Sequence, residues 1–330
     1  MQIINRTPYA MERVVIFDRQ GNETLMVIIK GTFDFGPGQS SVAAEQTPIT
    51  MADEYRGDPV KTSIRIATDL LPVRPATGVT LSGHAVCRGG RVGKMKVGLK
   101  IGELQQTAVV FGDRVGFRNV DQPEPFERMP LTWENAFGGF DTSPDNAKHH
   151  DAWPENPVGK GFMARHTALK PDEVPLPNIE HPNKHLTQPQ GRVPAVGFGP
   201  VPPAWEPRRR YAGTYDEAWQ KERSPLLPDD FDDRFLQAAP AALTARGYLA
   251  GNEDCILLGM TEEGRVDFRL DAPAPTVGVR FARSGIRSQP KLESIHLDTD
   301  ARQYTVTWKS FLNIQGKVEE LKNIEARVLR

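Results

Sequence analysis

The sequence predicts a mostly β protein with antiparallel, sandwich-like sheets built from two terminal strand blocks. A long ordered loop region, rich in proline and aromatic residues and holding a few short helices, is expected between the blocks. Apolar and polar residues alternate with a period of two near both ends of the chain, which is typical of strands with one buried face. No alternation of strands and helices follows, so a doubly wound parallel fold is not expected. Most of the 28 prolines fall between residues 112 and 247, where they interrupt sheet and helix alike.

The N-terminal strand block covers residues 1–111. Its clearest predicted strand lies within residues 24–35, where every odd position is apolar or Gly and these positions share one face. The stretches 79–86, 92–101 and 106–111 predict further strands. In residues 92–101, the face expected to be buried carries Met95, Val97, Leu99 and Ile101. The face expected in solvent carries Lys94, Lys96 and Lys100.

The C-terminal strand block covers residues 248–330 and repeats the alternation. Clean alternation places one face of a strand in the core and the other in solvent, as in antiparallel sheets. No flexible Gly/Ser linker separates the two blocks, so we expect them to pack on each other within a single unit, residues 1–330. The solvated faces of the C-terminal block are expected to carry Arg265, Asp267, Arg269, Thr305 and Lys309.

The middle segment, residues 112–247, combines its prolines with many large aromatic residues. Disordered segments lack such aromatics because nothing buries them, so this composition indicates ordered, irregular loops pinned by aromatic side chains. Long ordered loops of a compact protein usually carry function. We therefore expect the function of the protein to depend on the middle segment.

Two short helices are predicted within the middle segment. A capping box that begins at Thr214 predicts a helix over residues 215–223. Asp229 or Asp230 is expected to cap a second helix that ends near Ala239.

Composition excludes several classes of partner. The chain carries 41 Lys and Arg against 42 Asp and Glu, a net charge of −1, so no overall field gathers nucleic acid or an anionic membrane. No apolar run is long enough to span a bilayer, and residues 1–9 lack the apolar core of a signal peptide. Cys87 and Cys255 cannot form a disulfide framework in so long a chain, which favours a reducing compartment. We therefore expect a cytoplasmic location.

The sequence shows no catalytic or cofactor motif. Residues 89–94 resemble a phosphate-binding loop, but the required earlier Gly and the Ser or Thr after Lys94 are missing. The alternating flanks of residues 88–91 instead predict a hairpin turn. No Gly-x-Ser-x-Gly elbow marks a nucleophile, and neither cysteine lies in a catalytic motif. We expect a protein that is not an enzyme and needs no cofactor.

The alternative is a metal-dependent hydrolase that uses the histidines of the middle segment. His181 and His185 have the i, i+4 spacing that would place two imidazoles on one helical face, although Pro177 and Pro182 argue against a helix there. No His-Glu-x-x-His motif or paired cysteine ligands support the site. The other histidines of this alternative are His149, His150 and His166.

A series of motifs runs in order along nearly the whole chain, and the longest are MPLTWENAFGGFD at 129–141, GFGP at 197–200 and AGTYD at 212–216. These motifs carry a resemblance to the bacterial domain-of-unknown-function family 2169, which is associated with type VI secretion. The resemblance implies an adaptor or chaperone that binds a toxin effector and helps load it onto the secretion spike, with the spike protein of the VgrG/PAAR type as a further possible partner. It implies no catalytic residue. Shorter matching stretches lie at 5–8, 17–21, 30–33, 68–69, 83–85, 112–114, 156–162, 176–180, 205–208, 230–235 and 239–240.

The contact surface for the toxin is expected in the middle segment. Trp, Tyr, Phe and Arg are enriched at protein interfaces, and loops stiffened by proline lose little entropy on binding. Charged strand faces, by contrast, cost much to desolvate and offer little apolar area. The candidate partner-binding residues are Trp133, Phe137, Trp205, Arg208, Tyr215, Trp219 and Arg234.

Overall fold

A computed structural model describes residues 2–314 and 316–328 and confirms a mostly β protein with a few short helices. Three larger sheets hold most of the strands, and the helices lie in the middle segment. Among the described residues, no helix combines the length and apolar character needed to cross a membrane.

The strands of the first 111 residues are β1 (Gln2–Arg6), β2 (Ala10–Phe17), β3 (Glu23–Gly36), β4 (Gln39–Val42), β5 (Glu54–Tyr55), β6 (Ile64–Ile66), β7 (Gly78–Ser82), β8 (His84–Val86), β9 (Lys94–Ile101) and β10 (Leu104–Phe111). The middle segment contains β11 (Arg128–Pro130), β12 (Phe137–Gly138), β13 (Phe140–Asp141), β14 (Asp151–Ala152), β15 (Lys160–Gly161), β16 (Ile179–Glu180) and helix α1 (Glu217–Glu222). Its 3-10 helices span Phe117–Asn119, Trp133–Asn135, Ala147–His149, Pro171–Glu173, Arg208–Tyr211, Asp233–Leu236 and Ala241–Leu243. The C-terminal strands are β17 (Asp254–Leu258), β18 (Arg265–Arg269), β19 (Pro275–Phe281), β20 (Gly285–Ser288), β21 (Lys291–Asp298), β22 (Gln303–Asn313) and β23 (Leu321–Val328).

The six-stranded sheet has the order β2-β3-β22-β21-β7, with β4 also paired to β3. Its centre is the antiparallel pair of β3 and β22, in register from Asp34 opposite Gln303 to Thr24 opposite Asn313. β7 joins the edge parallel to β21, so the sheet is mixed. Two adjacent C-terminal strands, β22 and β21, therefore lie between N-terminal strands within one hydrogen-bonded sheet.

Two more sheets also combine strands from both terminal blocks. The five-stranded sheet is antiparallel, in the order β16-β10-β9-β17-β18. The four-stranded sheet has the order β1-β23-β19-β20, with β1 parallel to β23. That the two strand blocks belong to a single unit, residues 1–330, stays a prediction.

The main core lies where the inner face of the six-stranded sheet meets the five-stranded sheet. Phe35 of β3 stacks on Phe268 of β18 with ring centroids 4.6 Å apart, and Tyr304 of β22 lies 5.9 Å from Phe268. Of the apolar positions expected on the buried face of β9, Val97, Leu99 and Ile101 are buried, whereas Met95 is only half-buried. This contact of two sheets confirms the sandwich-like arrangement.

The alternation fails on the two central strands, because β3 and β22 are buried on both faces. Lys309, expected in solvent, is 1% exposed, whereas Arg265, Asp267 and Arg269 are exposed as predicted. Two loops cover the outer face. In the loop after β4, Ile49 packs on Met26 and Ile28, and in the loop after β6, the Leu71 carbonyl accepts from the ammonium of Lys309 at 2.7 Å. Alternation could not reveal a cover supplied by a distant loop.

The prediction of a hairpin at residues 88–91 is wrong, although the chain does turn there. β8 pairs with β11 instead of β9, with Val86 opposite Arg128. Val92, after the turn, bridges to Phe126. The 126–130 segment thus takes the hydrogen bonds that a hairpin would have made between β8 and β9.

Candidate functional site

Four of the seven candidate partner-binding residues are buried in the core. Trp133 is 5% exposed and Trp205 is 6% exposed, and their rings meet edge to face at 6.0 Å. The indole N–H of Trp133 donates to the carbonyls of Gly199 and Pro200, both at 3.1 Å. These two tryptophans therefore pin the proline-rich chain at 199–205 to the core, and in the folded chain they present almost no surface to a partner.

Phe137 and Arg208 are also structural. Phe137 is 0% exposed and packs edge-on against Trp153 in a second cluster of the middle segment. Arg208 is 4% exposed and donates to the carbonyls of Val201 at 2.6 Å and Phe235 at 2.8 Å. Burial, followed by repulsion from Arg74, lowers the pKa of Arg208 to about 10, so it stays charged at neutral pH. The expectation that Phe137 and Arg208 face a partner is corrected to a packing role for both.

The other three candidates, Tyr215, Trp219 and Arg234, lie at the surface. Tyr215 is 54% exposed, and its ring meets the half-buried Trp219 edge-on, with centroids 4.7 Å apart. The indole N–H of Trp219 donates to the Leu226 carbonyl at 2.9 Å, which fixes the ring. The two aromatic rings therefore form a rigid pair, of which the Tyr215 ring is accessible to solvent.

The cap of α1 is Asp216, and not the Thr214 of the predicted capping box. The Asp216 carboxylate accepts from the backbone N–H of Trp219 at 2.9 Å. Thr214 instead donates from its hydroxyl to Asp230 at 2.7 Å. Because the cap lies two residues later, α1 is shorter than predicted and covers only Glu217–Glu222.

Arg234 lies against Tyr211, with its guanidinium carbon 4.1 Å from the ring centroid, and pairs with Asp232 at 2.5 Å. The second predicted helix is only the 3-10 turn Asp233–Leu236, capped by Asp232 rather than by Asp229 or Asp230. It ends early because the Ala238 carbonyl accepts from the backbone N–H of Val201 at 2.7 Å, which takes the chain into an extended path.

Arg19, in the turn between β2 and β3, is a site residue that sequence reasoning missed. Its guanidinium donates to the Phe231 carbonyl at 2.9 Å and to Asp233 at 2.8 Å, and lies 5.2 Å from the Phe231 ring centroid. Arg223 donates back to the Arg19 carbonyl at 2.8 Å. A single charge in a turn gives no sequence signal for such a contact. We call residues 211–234, held in this way on the β2–β3 turn, the 211–234 lobe.

A polar cleft of about 450 Å³ opens on the outer face of the six-stranded sheet. Beneath it Lys30 and Asp69 form a buried ion pair at 2.9 Å. Nδ1 of the half-buried His296 is hydrogen-bonded to the hydroxyl of Thr80 at 2.9 Å. Burial, followed by the charge of Lys30, lowers the pKa of His296 to about 3, so the ring is neutral at physiological pH. His296 therefore cannot serve as a charged general acid in the cleft at neutral pH.

The histidines of the metal alternative are dispersed. His149 stacks on His166 with centroids 4.3 Å apart, while His185 pairs with Glu180, which also binds Arg114. Within residues 2–314 and 316–328 no group of three or more His, Cys, Asp or Glu is placed to hold a metal ion. His181 lies in no helix, as its neighbouring prolines suggest.

Neither cysteine is set up as a nucleophile. Burial raises the pKa of Cys255 far above its ordinary value, and burial also raises the pKa of the half-buried Cys87. Both thiols are therefore held in the protonated, weakly nucleophilic form at neutral pH.

Comparison with known proteins gives one match. A family model described as "Uncharacterized protein conserved in bacteria (DUF2169)" matches residues 20–309. No curated protein and no solved structure matches the chain.

Proposed function

Within the bacterial family DUF2169, to which this chain belongs, we propose that the protein is a non-catalytic adaptor and chaperone. It binds a toxin effector of the type VI secretion system and helps load the toxin onto the secretion spike, and a spike protein of the VgrG/PAAR type is its candidate second partner. The sequence resemblance suggests this role, and the surface of the chain supplies a means of binding.

The observation that carries the proposal is the exposed aromatic and arginine surface of the 211–234 lobe. Tyr215 presents a half-exposed ring, Trp219 backs it, and Arg234 lies across Tyr211. Tyr, Trp and Arg are the residue types that most often dominate the binding energy of protein interfaces. The exposed Tyr215 ring also carries a hydroxyl, so this side chain can contact apolar and polar parts of a partner at once.

Preorganisation supports the same role. The lobe contains little regular secondary structure, but its backbone is fixed by the bonds of Arg19 to Phe231 and Asp233 and by the bond of Thr214 to Asp230. Aromatic side chains that are ordered before binding lose little conformational entropy in the complex. The lobe can therefore bind a folded toxin without first having to order itself.

The chemistry of the described groups favours binding over catalysis. His296 is neutral, the thiols are protonated, and the Lys30–Asp69 pair is enclosed and satisfied by its neighbours. A buried, fully hydrogen-bonded ion pair is a common structural device, and it offers no reactive atom to a substrate. We therefore assign the protein no catalytic residue and no cofactor, and we place its action in the cytoplasm, before the toxin is exported.

Toxin export in a strain that lacks this gene tests the proposal. An adaptor predicts that the toxin disappears from the medium while the secreted tube and spike proteins are still released, and that the adaptor itself stays in the cell fraction. The wild-type gene should restore toxin export, and a Tyr215→Ala, Trp219→Ala variant should restore it poorly. Normal export of every candidate toxin without the gene would overturn the proposal, and equal release of the protein with the spike would indicate a spike component instead.

A further inference from the structure

The outer face of the four-stranded sheet forms an open groove of about 860 Å³, away from the 211–234 lobe. Its floor is the face of β19 opposite the buried Val277 and Val279. Four residues on neighbouring strands lie opposite one another across the sheet. They are Arg287 of β20, Gly278 of β19, Glu325 of β23 and Ile4 of β1. Gly278 leaves the middle of this floor open, since a Cβ added there would meet nothing within 4 Å.

The groove is strongly basic. Its lining includes four arginines and one glutamate, and Glu325 is already shared between Arg6 at 2.5 Å and Arg327 at 2.7 Å. Arg280 and Arg287 are exposed and have no acidic partner among the described residues. Residues 275–291 contain no Asp or Glu at all. The charge here is therefore locally unbalanced in a chain whose net charge is only −1.

One wall of the groove is a free sheet edge. β20 pairs with β19 and has no second neighbour among the described strands, and its residues Gly285–Arg287 are exposed. An exposed edge strand offers unpaired backbone N–H and C=O groups to another extended chain. Gly278 of β19 leaves open space above the sheet next to β20, into which side chains of an added strand can extend.

We propose that this groove binds an acidic, extended polypeptide segment of the toxin partner, which adds as a strand to the free edge of β20 and places carboxylates against Arg280 and Arg287. Strand addition supplies affinity through backbone hydrogen bonds, and the arginines select acidic side chains through charge-assisted bonds. No aromatic side chain lines the groove to stack on bases, so a polypeptide fits it better than a single-stranded nucleic acid. The identity of the partner rests on the proposed function, but the acidic-strand chemistry of the groove does not.

Peptide binding to the full chain tests the groove directly. The probe is a fluorescent peptide of about ten residues in which Glu alternates with Val, so that all the carboxylates lie on one face of the added strand. It should bind, and Arg280→Glu with Arg287→Glu should weaken binding by about tenfold or more. Lys94→Glu with Lys100→Glu, on the exposed face of β9, is the matched control and should bind like the wild type. Undiminished binding to the arginine variant, or tighter binding of an oligonucleotide than of the peptide, would overturn the proposal.

Backbone methylation separates strand addition from simple charge attraction. Two versions of the peptide carry N-methyl groups on alternate residues, one at even and one at odd positions, so each keeps its charge but loses the donors on one edge. Strand addition predicts that one version binds and the other does not. Equal binding of both versions would show that β20 is not extended by the ligand.

The toxin itself distinguishes this inference from the proposed function. If the toxin binds the wild type and the Arg280→Glu, Arg287→Glu variant equally, the groove inference fails while the adaptor role stands. If no toxin binds at all, the adaptor role fails, and the peptide experiment still decides what the groove binds.

Discussion

The ring of Trp219 meets the ring of Tyr215 edge-on at 4.7 Å, and the backbone N–H of Trp219 is held by the Asp216 carboxylate. The cap of α1 therefore also sets the position of the aromatic pair. Asp216→Ala should cost α1 about 1 kcal/mol and speed the hydrogen exchange of its amides, because the cap is lost. Asp216→Asn is the matched control, since Asn is also a good cap. Equal exchange in both variants would contradict the capping role.

The second prediction separates core from surface among the aromatics of the middle segment. Phe137 is 0% exposed and Phe140, three residues later, is 60% exposed. Phe137→Ala should lower the free energy of unfolding by about 3–5 kcal/mol, because it leaves a cavity in the core. Phe140→Ala should change it by about 0.5 kcal/mol or less. Urea unfolding measures both, and similar losses in the two variants would contradict the assignment.

Much of the fold could be predicted from the sequence because its signals are local. Alternation in β9 and β18 correctly separated buried residues such as Val97 and Phe268 from exposed ones such as Lys96 and Asp267. The same rule failed where a distant segment covers a strand, as at Lys309 of β22.

The candidate site was less predictable, for a related reason. Composition identified the aromatics of the middle segment but could not separate Trp205, which packs on Trp133, from the exposed Tyr215. Arg19 and Phe231 meet across 212 residues of chain, and no local pattern encodes such a contact. The ends of helices also depended on hydrogen bonds to distant residues. The hydroxyl of Thr214, for example, donates to Asp230 and does not cap α1.

The third prediction concerns the buried ion pair of Lys30 and Asp69, whose side chains are 3% and 6% exposed. Asp69→Asn leaves the ammonium of Lys30 without its counterion and should cost about 3–5 kcal/mol. Lys30→Met combined with Asp69→Leu should cost much less, because no charge is left buried. Asp267→Asn, in the exposed pair with Arg265, is the control and should leave the stability nearly unchanged. A double variant as unstable as Asp69→Asn would contradict this account.

The fourth prediction is a pH dependence set by His296. Burial lowers its pKa from 6.5 to about 3 in the folded chain, so between these values only the unfolded chain binds the proton. The contribution of His296 to the free energy of unfolding is therefore fully present above pH 6.5. It is lost as the pH falls towards 3, and the loss is on the order of a few kcal/mol. His296→Gln should flatten this part of the stability curve, while replacing the exposed His149 by Gln should leave it as in the wild type. Identical curves for all three proteins would contradict the prediction.

The measurement that tests the central claim most directly is a calorimetric titration of the purified full chain with a candidate toxin effector. The account predicts a complex with the wild type, and a loss of about 2 kcal/mol or more in binding free energy for Tyr215→Ala with Trp219→Ala at an unchanged melting temperature. Phe140→Ala, an exposed aromatic outside the 211–234 lobe, should bind like the wild type. A folded wild type that binds no toxin, or a double variant that binds as tightly as the wild type, would contradict the account.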